Sequence, residues 1–466
     1  MRLDFSAIDL TKTADFASRI AENAATNGQG VAMECDNRCF TWSAFYSHTC
    51  RVANGLAECG CRPGDRVAIL ASNSIEYFAC FMGIVSGGMS AVTIPAMVDV
   101  EAIGTMLNDS EAKVLFASGP EAERAASAIE NADHLFENGR IAYDFSAAGW
   151  REYGAWLESA PETPLASRVS PDAEFNIVYS SGTTGRPKGI VHSHATRASM
   201  ARGFENLGFD RQAVTMLFSP LYTNLSIPAF LGTLWGGGMS LVMSKFDAPR
   251  YLELAESRKA THFFLVPSVA ERLLNDPAFD RTNLSATRLK YVGGSLLRLE
   301  LKRALWERWP GPLLEIYGMT EGAPVTCFHP DRHQDKIGSV GQPVAGSEIR
   351  IVDGEGNELP TGETGEIAGR SGSMMLGYNN LPDETERLIW RDPEGREFFR
   401  SGDIGRFDDD GFLYIQDRKK DMIISGGLNI YAADLEPVIA RHLDVAEVAV
   451  IAIPSNRWGE TPLALV

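Results

Sequence analysis

The segment at residues 179–189, YSSGTTGRPKG, combines residue types that suit the binding of a phosphate group. Its glycines let backbone N–H groups approach an anion closely, its hydroxyls add hydrogen-bond donors, and Lys188 supplies a positive charge. The segment differs from the Walker phosphate loop because Pro187 stands where that pattern needs its second glycine. On composition alone, a surface turn rich in glycine, serine and threonine is the alternative interpretation.

Three further segments that could carry chemistry follow this loop: YGMTE at 317–321, SGD at 401–403 and DRKKDMIISGGLNIYAADLE at 417–436. In this order, the segment at 179–189 and these three segments resemble the phosphate loop, the core motifs, the hinge and the thioester-forming loop of the adenylate-forming superfamily. That superfamily includes acyl-CoA synthetases, luciferases and the adenylation domains of peptide synthetases. The resemblance covers roughly residues 40–466 and is to the acyl- or aryl-CoA ligase branch.

The resemblance implies an ATP site in which Lys188, Thr320 and Glu321 take part in catalysis. Thr320 would bond the α-phosphate, and Glu321 would bind Mg²⁺ together with phosphate oxygens and water. Without the motif, Glu321 would be interpreted as a solvated charge at a helix start. The residues implied to contact ATP or AMP are Ser180, Ser181, Gly182, Thr183, Thr184, Gly185, Gly294, Ser295, Tyr317, Gly318, Asp403 and Arg418. Tyr317 would stack on adenine, and Asp403 would bind the ribose hydroxyls.

The resemblance also implies an acyl pocket with a mostly apolar wall. Its residues are Tyr222, Leu225, Ile227, Gly293, Met319, Ala323 and Val325, with Phe230 as a further candidate. Such a wall predicts a hydrophobic acid, aromatic or medium-chain, although each residue taken alone could belong to an ordinary core. Thr223 stands where many acyl-CoA synthetases have a histidine. Residues 222–232 contain no Asp or Glu, so the ammonium group of an amino-acid substrate would be unpaired there.

The C-terminal segment resembles the mobile lid domain of the family. Lys420 falls at the hinge about which that domain rotates, and Gly426 and Gly427 would line the path of coenzyme A. The family's lid is about twice as long as residues 420–466, and its catalytic lysine would lie beyond residue 466. The lid is therefore expected to be truncated in this chain, and adenylation by this form is expected to be slow.

These residues together predict an ATP-dependent acid–thiol ligase that uses ATP, Mg²⁺ and coenzyme A. A small-molecule carboxylic acid would be converted to an acyl adenylate and then to an acyl-CoA, with release of pyrophosphate and AMP. Two alternatives stay open at this point. The acceptor could be a carrier protein instead of coenzyme A, or the chain could be a nucleotide-binding pseudoenzyme.

The elements that must position these residues alternate between helix and strand. Helical TWSAFYSHTCRVANGLAEC, the strand RVAIL, the strand opening KVLFAS and the strand FNIVY predict an α/β fold with a parallel or mixed sheet. From about residue 335, short pieces such as SEIRIVD and GEIAGR predict a β-rich part. We therefore expect an adenylation core at 1–417, built of two α/β subdomains and a distorted β-barrel at roughly 335–417. A small mobile α+β domain at 418–466 is expected to follow it.

Two long uncharged runs, at 77–98 and 213–244, raise the question of a membrane span. Gly and Pro residues interrupt both runs. They instead predict a buried helix ending near Ser86 followed by the strand SAVTIP, and a strand, loop, helix, glycine turn and strand in the second run. We expect no transmembrane segment.

Composition excludes several classes of protein. The 466 residues carry a formal net charge of −18, which disfavours a nucleic-acid binder, and 44% are hydrophobic, which excludes general disorder. The odd number of cysteines, seven, favours a reducing compartment, and Asp4 and Asp9 stand where a signal peptide would need an apolar stretch, so we expect a cytoplasmic location. His192 and His194 are expected to have a structural role. We expect a homodimer, because this is the commonest oligomeric state of soluble enzymes of this size.

Overall fold

The computed structural model describes residues 15–164, 169–180, 187–419, 423–425, 428–430, 432–440, 442, 444, 445, 447–455 and 459–466. They divide into two compact units. Unit 1 runs to Leu314 and also contains Gly372–Thr385, and unit 2 contains Glu315–Ser371 and the described residues from Glu386 to Val466. The predicted domain boundary at residue 417 is a different division of the chain and stays a prediction.

Most α-helices lie in unit 1. In chain order, the α-helices of the described residues are α1 (Phe16–Asn27), α2 (Trp42–Glu58), α3 (Ile75–Ser86), α4 (Val100–Ser110), α5 (Ala122–Ala128), α6 (Tyr153–Ser159), α7 (His194–Gly203), α8 (Ser226–Gly236), α9 (Ala248–Ser257), α10 (Pro267–Leu274), α11 (Leu299–Arg308), α12 (Pro382–Leu388) and α13 (Ala432–Ile439). Side-chain caps begin several of them. For example, the Ser74 hydroxyl accepts from the backbone N–H of Tyr77 at 3.1 Å and so caps α3.

The strands up to residue 292 are β1 (Val31–Cys35), β2 (Arg38–Thr41), β3 (Arg66–Leu70), β4 (Ser90–Thr93), β5 (Val114–Ala117), β6 (Arg140–Ala142), β7 (Arg151–Glu152), β8 (Glu174–Ser180), β9 (Lys188–Ser193), β10 (Val214–Leu217), β11 (Met239–Val242), β12 (His262–Leu265) and β13 (Leu289–Val292). The later strands are β14 (Leu313–Gly318), β15 (Val325–Phe328), β16 (Gln342–Pro343), β17 (Glu348–Val352), β18 (Gly365–Arg370), β19 (Gly377–Tyr378), β20 (Ile389–Arg391), β21 (Glu397–Phe407), β22 (Leu413–Arg418), β23 (Ile423–Ser425), β24 (Leu428–Ile430), β25 (Ala449–Ser455) and β26 (Gly459–Leu465).

The first sheet of unit 1 has the order β19-β9-β8-β4-β3-β5-β6-β7. Strands β8 to β7 in this order run parallel, whereas β9 and β19 are antiparallel to their neighbours. Strands β4 and β5 are buried along their whole length, and β5 (VLFA) is accordingly continuously apolar instead of alternating. This arrangement confirms the predicted α/β fold class.

The second sheet of unit 1 contains β13-β12-β10-β11-β1-β2 in that order. Its strands are parallel except for β2, which forms a hairpin with β1. Strand β1 therefore pairs with β11, although about two hundred residues separate them in the sequence.

The two uncharged runs form buried elements of unit 1, as predicted. The first contains α3, which ends at Ser86, and β4, and the second contains β10, α8 and β11. The rings of Phe78 in α3 and Phe230 in α8 pack edge to face with their centroids 4.9 Å apart. Among the described residues, no helix has both the length and the apolar character needed to cross a membrane.

Unit 2 is dominated by antiparallel strands. Strands β14, β15 and β16 are neighbours, β17, β18, β21 and β20 form a second sheet in that order, and β22 also pairs with β21. Towards the C-terminus, β24-β23-β26-β25 form a four-stranded sheet, and α13 packs Ala432 against Ile423 of β23 and Val450 of β25. The predicted β-rich character of this part of the chain and its predicted α+β end are confirmed.

Candidate functional site

Lys188 is the first residue of β9 and stands directly after the predicted phosphate loop. Strands β8 and β9 form an antiparallel hairpin in which Ser180 lies opposite Lys188. Both residues are half-buried. The remaining loop residues of the prediction, Ser181, Gly182, Thr183, Thr184 and Gly185, lie outside the described residues, so their role stays a prediction.

The Lys188 ammonium is paired with a carboxylate of the same unit. Its Nζ donates to Oε2 of Glu384 at 2.7 Å and lies 5.2 Å from the centre of the Tyr378 ring. The side chain of Lys188 is 16% exposed and that of Glu384 is 30% exposed, so water screens the pair only partly. A phosphate that approaches Lys188 would therefore have to share this cation with Glu384 or replace it.

A short segment of unit 1, Gly372–Thr385, holds Tyr378 and Glu384 in place. The backbone N–H groups of Leu376 and Asn379 donate to the carbonyls of Val191 and Gly189 in β9, at 2.8 and 2.7 Å. The side-chain nitrogen of Asn379 also donates to the carbonyl of Asp109 at 2.7 Å. Within this segment, β19 is thus an additional edge strand that pairs with β9 beside the lysine.

Sequence reasoning did not identify Tyr378 or Glu384. In the sequence, Glu384 follows Pro382 in the first turn of α12, where an acidic residue is expected from the helix dipole alone. Nothing local connects it with Lys188, which precedes it by 196 residues.

The predicted turn at Gly293, Gly294 and Ser295 follows the end of β13. Gly293 is buried, and its N–H donates to the carbonyl of Leu265 in β12 at 3.1 Å. Gly294 has a φ of +90°, a conformation that favours glycine, and both Gly294 and Ser295 are exposed. The turn therefore presents an open backbone at the carboxyl end of a parallel sheet, the usual location of ligands in this fold class.

The acyl-pocket residues of unit 1 lie on the segment between β10 and α8 and on α8 itself. Tyr222 and Leu225 are half-buried, whereas Ile227 and Phe230 are fully buried in the helix. The side chain of Asn73 fixes this segment, because its nitrogen donates to the carbonyl of Ser219 at 3.0 Å and its oxygen accepts from the N–H of Leu221 at 3.1 Å. The role of the pocket residues in binding an acid stays a prediction.

The side chain of Thr223, which stands where the resemblance would place histidine, forms hydrogen bonds with the backbone of its own segment. Its hydroxyl donates to the carbonyl of Pro220 at 2.9 Å, and the N–H of Ser226 points to the same oxygen at 3.4 Å. The threonine thus stabilises the first turn of α8.

The two histidines after the phosphate loop are buried. The ring of His194 packs against Phe175 at 4.8 Å, and burial lowers its pKa to about 4. His192 lies within hydrogen-bond distance of Arg197, with its Nδ1 3.2 Å from a guanidinium nitrogen. These contacts support the predicted structural role.

Unit 2 brings together Tyr317, Asp403 and Arg418, three residues predicted to contact the nucleotide. The Tyr317 hydroxyl donates to Oδ2 of Asp403 at 2.7 Å, and the Arg418 Nε lies 3.4 Å from Oδ1 of the same carboxylate. Strands β21 and β22 place Asp403 directly opposite Arg418. The Arg418 side chain is 65% exposed, so it has room to turn towards a ligand.

Burial controls the protonation of this cluster. It raises the pKa of Asp403, and the hydrogen bond from Tyr317 and the charge of Arg418 partly offset that rise. The pKa of Tyr317 lies well above its usual value, first because of burial and then because of the negative charge of Asp403. Tyr317 is therefore a neutral donor near pH 7, bound to a carboxylate that a ribose could also use.

The turn after β14 carries the predicted catalytic residues Thr320 and Glu321, both half-buried. The N–H of Gly322 donates to the carbonyl of Met319 at 3.0 Å, and the Ser371 hydroxyl donates to the carbonyl of Gly322 at 2.6 Å. This unit also contains Gly318, which is exposed, Ala323, which is buried, and Val325, which is half-buried. The predicted residues around the turn are thus close in the chain, and their catalytic roles stay predictions.

Glu321 is the predicted ligand for Mg²⁺. Among the described residues, no three His, Cys, Asp or Glu side chains converge as a ready metal site. Mg²⁺ is commonly held by one or two carboxylates together with substrate phosphates and water. A single half-buried carboxylate on a turn therefore fits an ion that arrives with the nucleotide.

The basic run near the predicted hinge is only partly described. Lys419 donates to Oε2 of Glu366 at 2.9 Å, and Arg400 binds the same oxygen at 2.9 Å. Lys420, Gly426 and Gly427 lie outside the described residues, so the predicted hinge and coenzyme A path stay predictions.

Known proteins with similar sequences include acid–thiol ligases. A fatty acid–acyl-carrier-protein ligase, ScoC, from Streptomyces coeruleorubidus is 30% identical over 452 residues, which cover 93% of this chain and 83% of that protein. A feruloyl-CoA synthase from an Amycolatopsis species is 31% identical over 448 residues, which cover 95% of this chain and 86% of that protein.

A solved structure has a similar fold. The crystal structure of ATP-bound MatB from Rhodopseudomonas palustris aligns with a TM-score of 0.85 and 27% sequence identity, and the alignment covers 97% of this chain and 88% of that one. The model of the AMP-binding enzyme family matches residues 20–379. The chain therefore belongs to the AMP-binding enzyme family, which confirms the resemblance to adenylate-forming acid–thiol ligases.

Proposed function

We propose that this enzyme activates a hydrophobic carboxylic acid with ATP and transfers the acyl group to coenzyme A. The observation that carries the proposal is the cluster of Tyr317, Asp403 and Arg418, in which a partly buried carboxylate and an exposed guanidinium lie together. A ribose offers hydroxyls to such a carboxylate, and a phosphate offers oxygens to such a guanidinium. The ATP-bound structural relative supports a nucleotide as the ligand.

In the first step, a carboxylate oxygen of the acid attacks the α-phosphorus of ATP, and the bond to pyrophosphate breaks. Both reactants are anions, so fixed positive charges and donors must offset their repulsion. Lys188, Thr320 and Mg²⁺ bound by Glu321 are the groups that we assign to this task. In the second step, the thiol of coenzyme A attacks the acyl carbon and AMP leaves.

The apolar pocket residues support an aromatic or medium-chain acid. Burying such an acyl group stabilises its complex roughly in proportion to the apolar area that it removes from water. A relative named as a feruloyl-CoA synthase is consistent with an aromatic acid. Location in the cytoplasm and assembly as a homodimer stay predictions.

A second candidate acceptor is a carrier protein. The relative named as a fatty acid–acyl-carrier-protein ligase supports it, because the shared family motifs do not distinguish a free from a protein-bound thiol. Supplying coenzyme A and a phosphopantetheinylated carrier protein in parallel, and measuring acylation of each by mass spectrometry, would decide between them.

The experiment that tests the proposal is acid-dependent exchange of pyrophosphate into ATP, measured over a panel of aromatic and aliphatic acids. Exchange with at least one acid, followed by formation of its acyl-CoA, is the expected result. Binding of ATP without exchange for any acid would favour a pseudoenzyme and overturn the proposal.

A further inference from the structure

Arg197, on α7, is a fully buried arginine. Its side chain is 0% exposed, and in the part of the chain that the structure describes no carboxylate pairs with it. Burial lowers its pKa to about 9. A buried charge is costly unless other groups bind it, so the neutral groups around Arg197 need a specific explanation.

Four side chains lie within hydrogen-bond distance of Arg197: the Met200 sulfur of the same helix, 3.4 Å from Nη1, and three side chains from other segments. Its Nε donates to Oδ1 of Asn176 in β8 at 2.8 Å, and its Nη1 donates to Oδ1 of Asn224 at 2.8 Å. Its Nη2 lies 3.2 Å from Nδ1 of His192 in β9. Because a guanidinium can only donate, each of these atoms must be an acceptor, which places the proton of a neutral His192 on its Nε2.

The same rule fixes the orientation of the Asn224 amide. Its oxygen faces Arg197, so its nitrogen, which carries two donors, must face away from the guanidinium. Asn224 is half-buried, and its nitrogen has no acceptor among the described residues. The nearby positive charge of Arg197 polarises the amide and strengthens donation by this nitrogen.

Asn224 lies between Tyr222 and Leu225, two residues of the predicted acyl pocket. The segment that carries it is fixed at its start by Asn73 and in its middle by Thr223. The wall predicted for this pocket is otherwise mostly apolar, so an amide nitrogen of Asn224 turned towards the acid would be left without an acceptor by an acyl group made only of hydrocarbon.

We propose that Asn224 is a specificity-determining residue that selects acids with an uncharged oxygen acceptor in their acyl part, and that Arg197 is the positioning residue that orients it. A phenolic hydroxyl, a methoxy group or an alcohol provides such an oxygen. The inference rests on the proposed function and specifies the class of acid for the same site.

The experiment compares matched acids by their kcat/KM for pyrophosphate release. The pairs are 4-coumarate with 4-methylcinnamate, and 8-hydroxyoctanoate with nonanoate, in which a hydroxyl replaces a methyl group of similar size. The wild-type enzyme should prefer the oxygenated acid of at least one pair by about tenfold, the effect of one hydrogen bond. An equal rate, or a preference for the methyl analogue in both pairs, would overturn the inference.

Asn224→Asp is the most informative variant, because the carboxylate keeps an acceptor for Arg197 but replaces the outward donors with an acceptor. It should still accept 4-coumarate, whose hydroxyl can donate, but lose about tenfold in kcat/KM for 4-methoxycinnamate, whose oxygen can only accept. Asn224→Leu should abolish the preference for oxygenated acids. Equal losses for both cinnamates in Asn224→Asp would contradict the proposed donor.

Arg197→Lys tests the positioning role. It should reduce the ratio between matched acids and leave the KM for ATP within about threefold, because Asn224 loses its fixed orientation whereas the nucleotide residues do not change. Arg202→Lys makes the same exchange elsewhere on α7, at a guanidinium 5.5 Å from the centre of the Trp235 ring, and is the matched control that should keep the ratio. A ratio unchanged in Arg197→Lys, with a normal melting temperature, would remove the positioning role.

The outcomes separate this inference from the proposed function. Turnover of every acid at equal efficiency would overturn only the selection by Asn224. A preference for octanedioate, an acid with a second carboxylate, would contradict the proposal that the selected oxygen is uncharged. Absence of turnover with every acid would overturn both proposals.

Discussion

The pair of Lys188 and Glu384 predicts that a carboxylate weakens the binding of ATP. The Lys188 ammonium lies 2.7 Å from Glu384. If Lys188 binds a phosphate of ATP, this pair must be broken or shared. Replacing Glu384 by Gln removes the competing charge and keeps the shape of the side chain, so the affinity for ATP with Mg²⁺ should increase.

The size of the effect follows from the environment of the pair. Fully exposed pairs contribute about 0.2 to 1 kcal/mol, and hydrogen bonds to charged groups contribute about 1.5 to 3 kcal/mol. With side-chain exposures of 16% and 30%, the pair lies between these cases. A net value of about 1 to 2 kcal/mol lowers the dissociation constant of ATP by about 5- to 30-fold.

Isothermal titration of ATP with Mg²⁺, in the absence of acid, measures this constant directly. Asp383→Asn is the matched control, because it removes the same charge from the adjacent, exposed position in the same turn of α12. In a Lys188→Met background, Glu384→Gln should have no effect, since the pair is already absent. An unchanged or weaker affinity in Glu384→Gln, or an equal gain in Asp383→Asn, would refute the reasoning.

Three further predictions concern the nucleotide, the pH dependence and the core. Asp403→Ala should weaken ATP binding by about 1.5 to 3 kcal/mol through loss of a charge-assisted hydrogen bond, and equilibrium dialysis would show it; unchanged affinity would remove Asp403 from the site. Because burial lowers the pKa of His194 to about 4, below its unfolded value, its contribution to stability is present above about pH 6.5 and is lost as the pH falls towards 4. His194→Gln should therefore flatten the pH dependence of urea unfolding over that interval; an unaltered slope would contradict this. Phe230→Ala should cost about 3 to 5 kcal/mol of unfolding free energy, because Phe78 then faces a cavity. Chemical denaturation measures this cost, and a loss below about 1 kcal/mol would mean that the contact is unimportant.

Elements with a strong local pattern were predictable from the sequence. Helices α2 and α3 and strands β3, β5 and β8 all occur where apolar spacing and turn residues indicated them. The two uncharged runs were also predicted correctly, because Gly and Pro mark the ends of elements within them. In each of these cases the information lies within one continuous stretch of the chain.

Contacts between distant segments were not predictable in the same way. The pairing of β1 with β11 joins strands far apart in the chain, and β21 was recognised only by its SGD motif because charged residues interrupt its apolar pattern. Periodicity reports which face of an element is buried, but it does not report which element covers that face.

Glu384 and Arg197 have partners or burial that the sequence did not predict, because nothing in their local sequence distinguishes them from solvated residues. Acidic residues near a helix start and arginines on a helix are usually solvated. The structure instead gives Glu384 a lysine partner and buries Arg197 completely. The motifs in the sequence indicated which residues belong to the predicted site. The partners of those residues could be identified only from the folded structure.

The segment Gly372–Thr385 has a practical consequence for dissecting this chain into fragments. It belongs to unit 1 although it follows fifty-seven residues of unit 2, so a fragment that ends at Leu314 would lack it. Strand β9 would then lose β19 and present a row of unpaired backbone groups on one edge, and such an edge invites pairing with other chains. A soluble fragment of unit 1 should therefore need Gly372–Thr385 joined back to residue 314 through a designed linker.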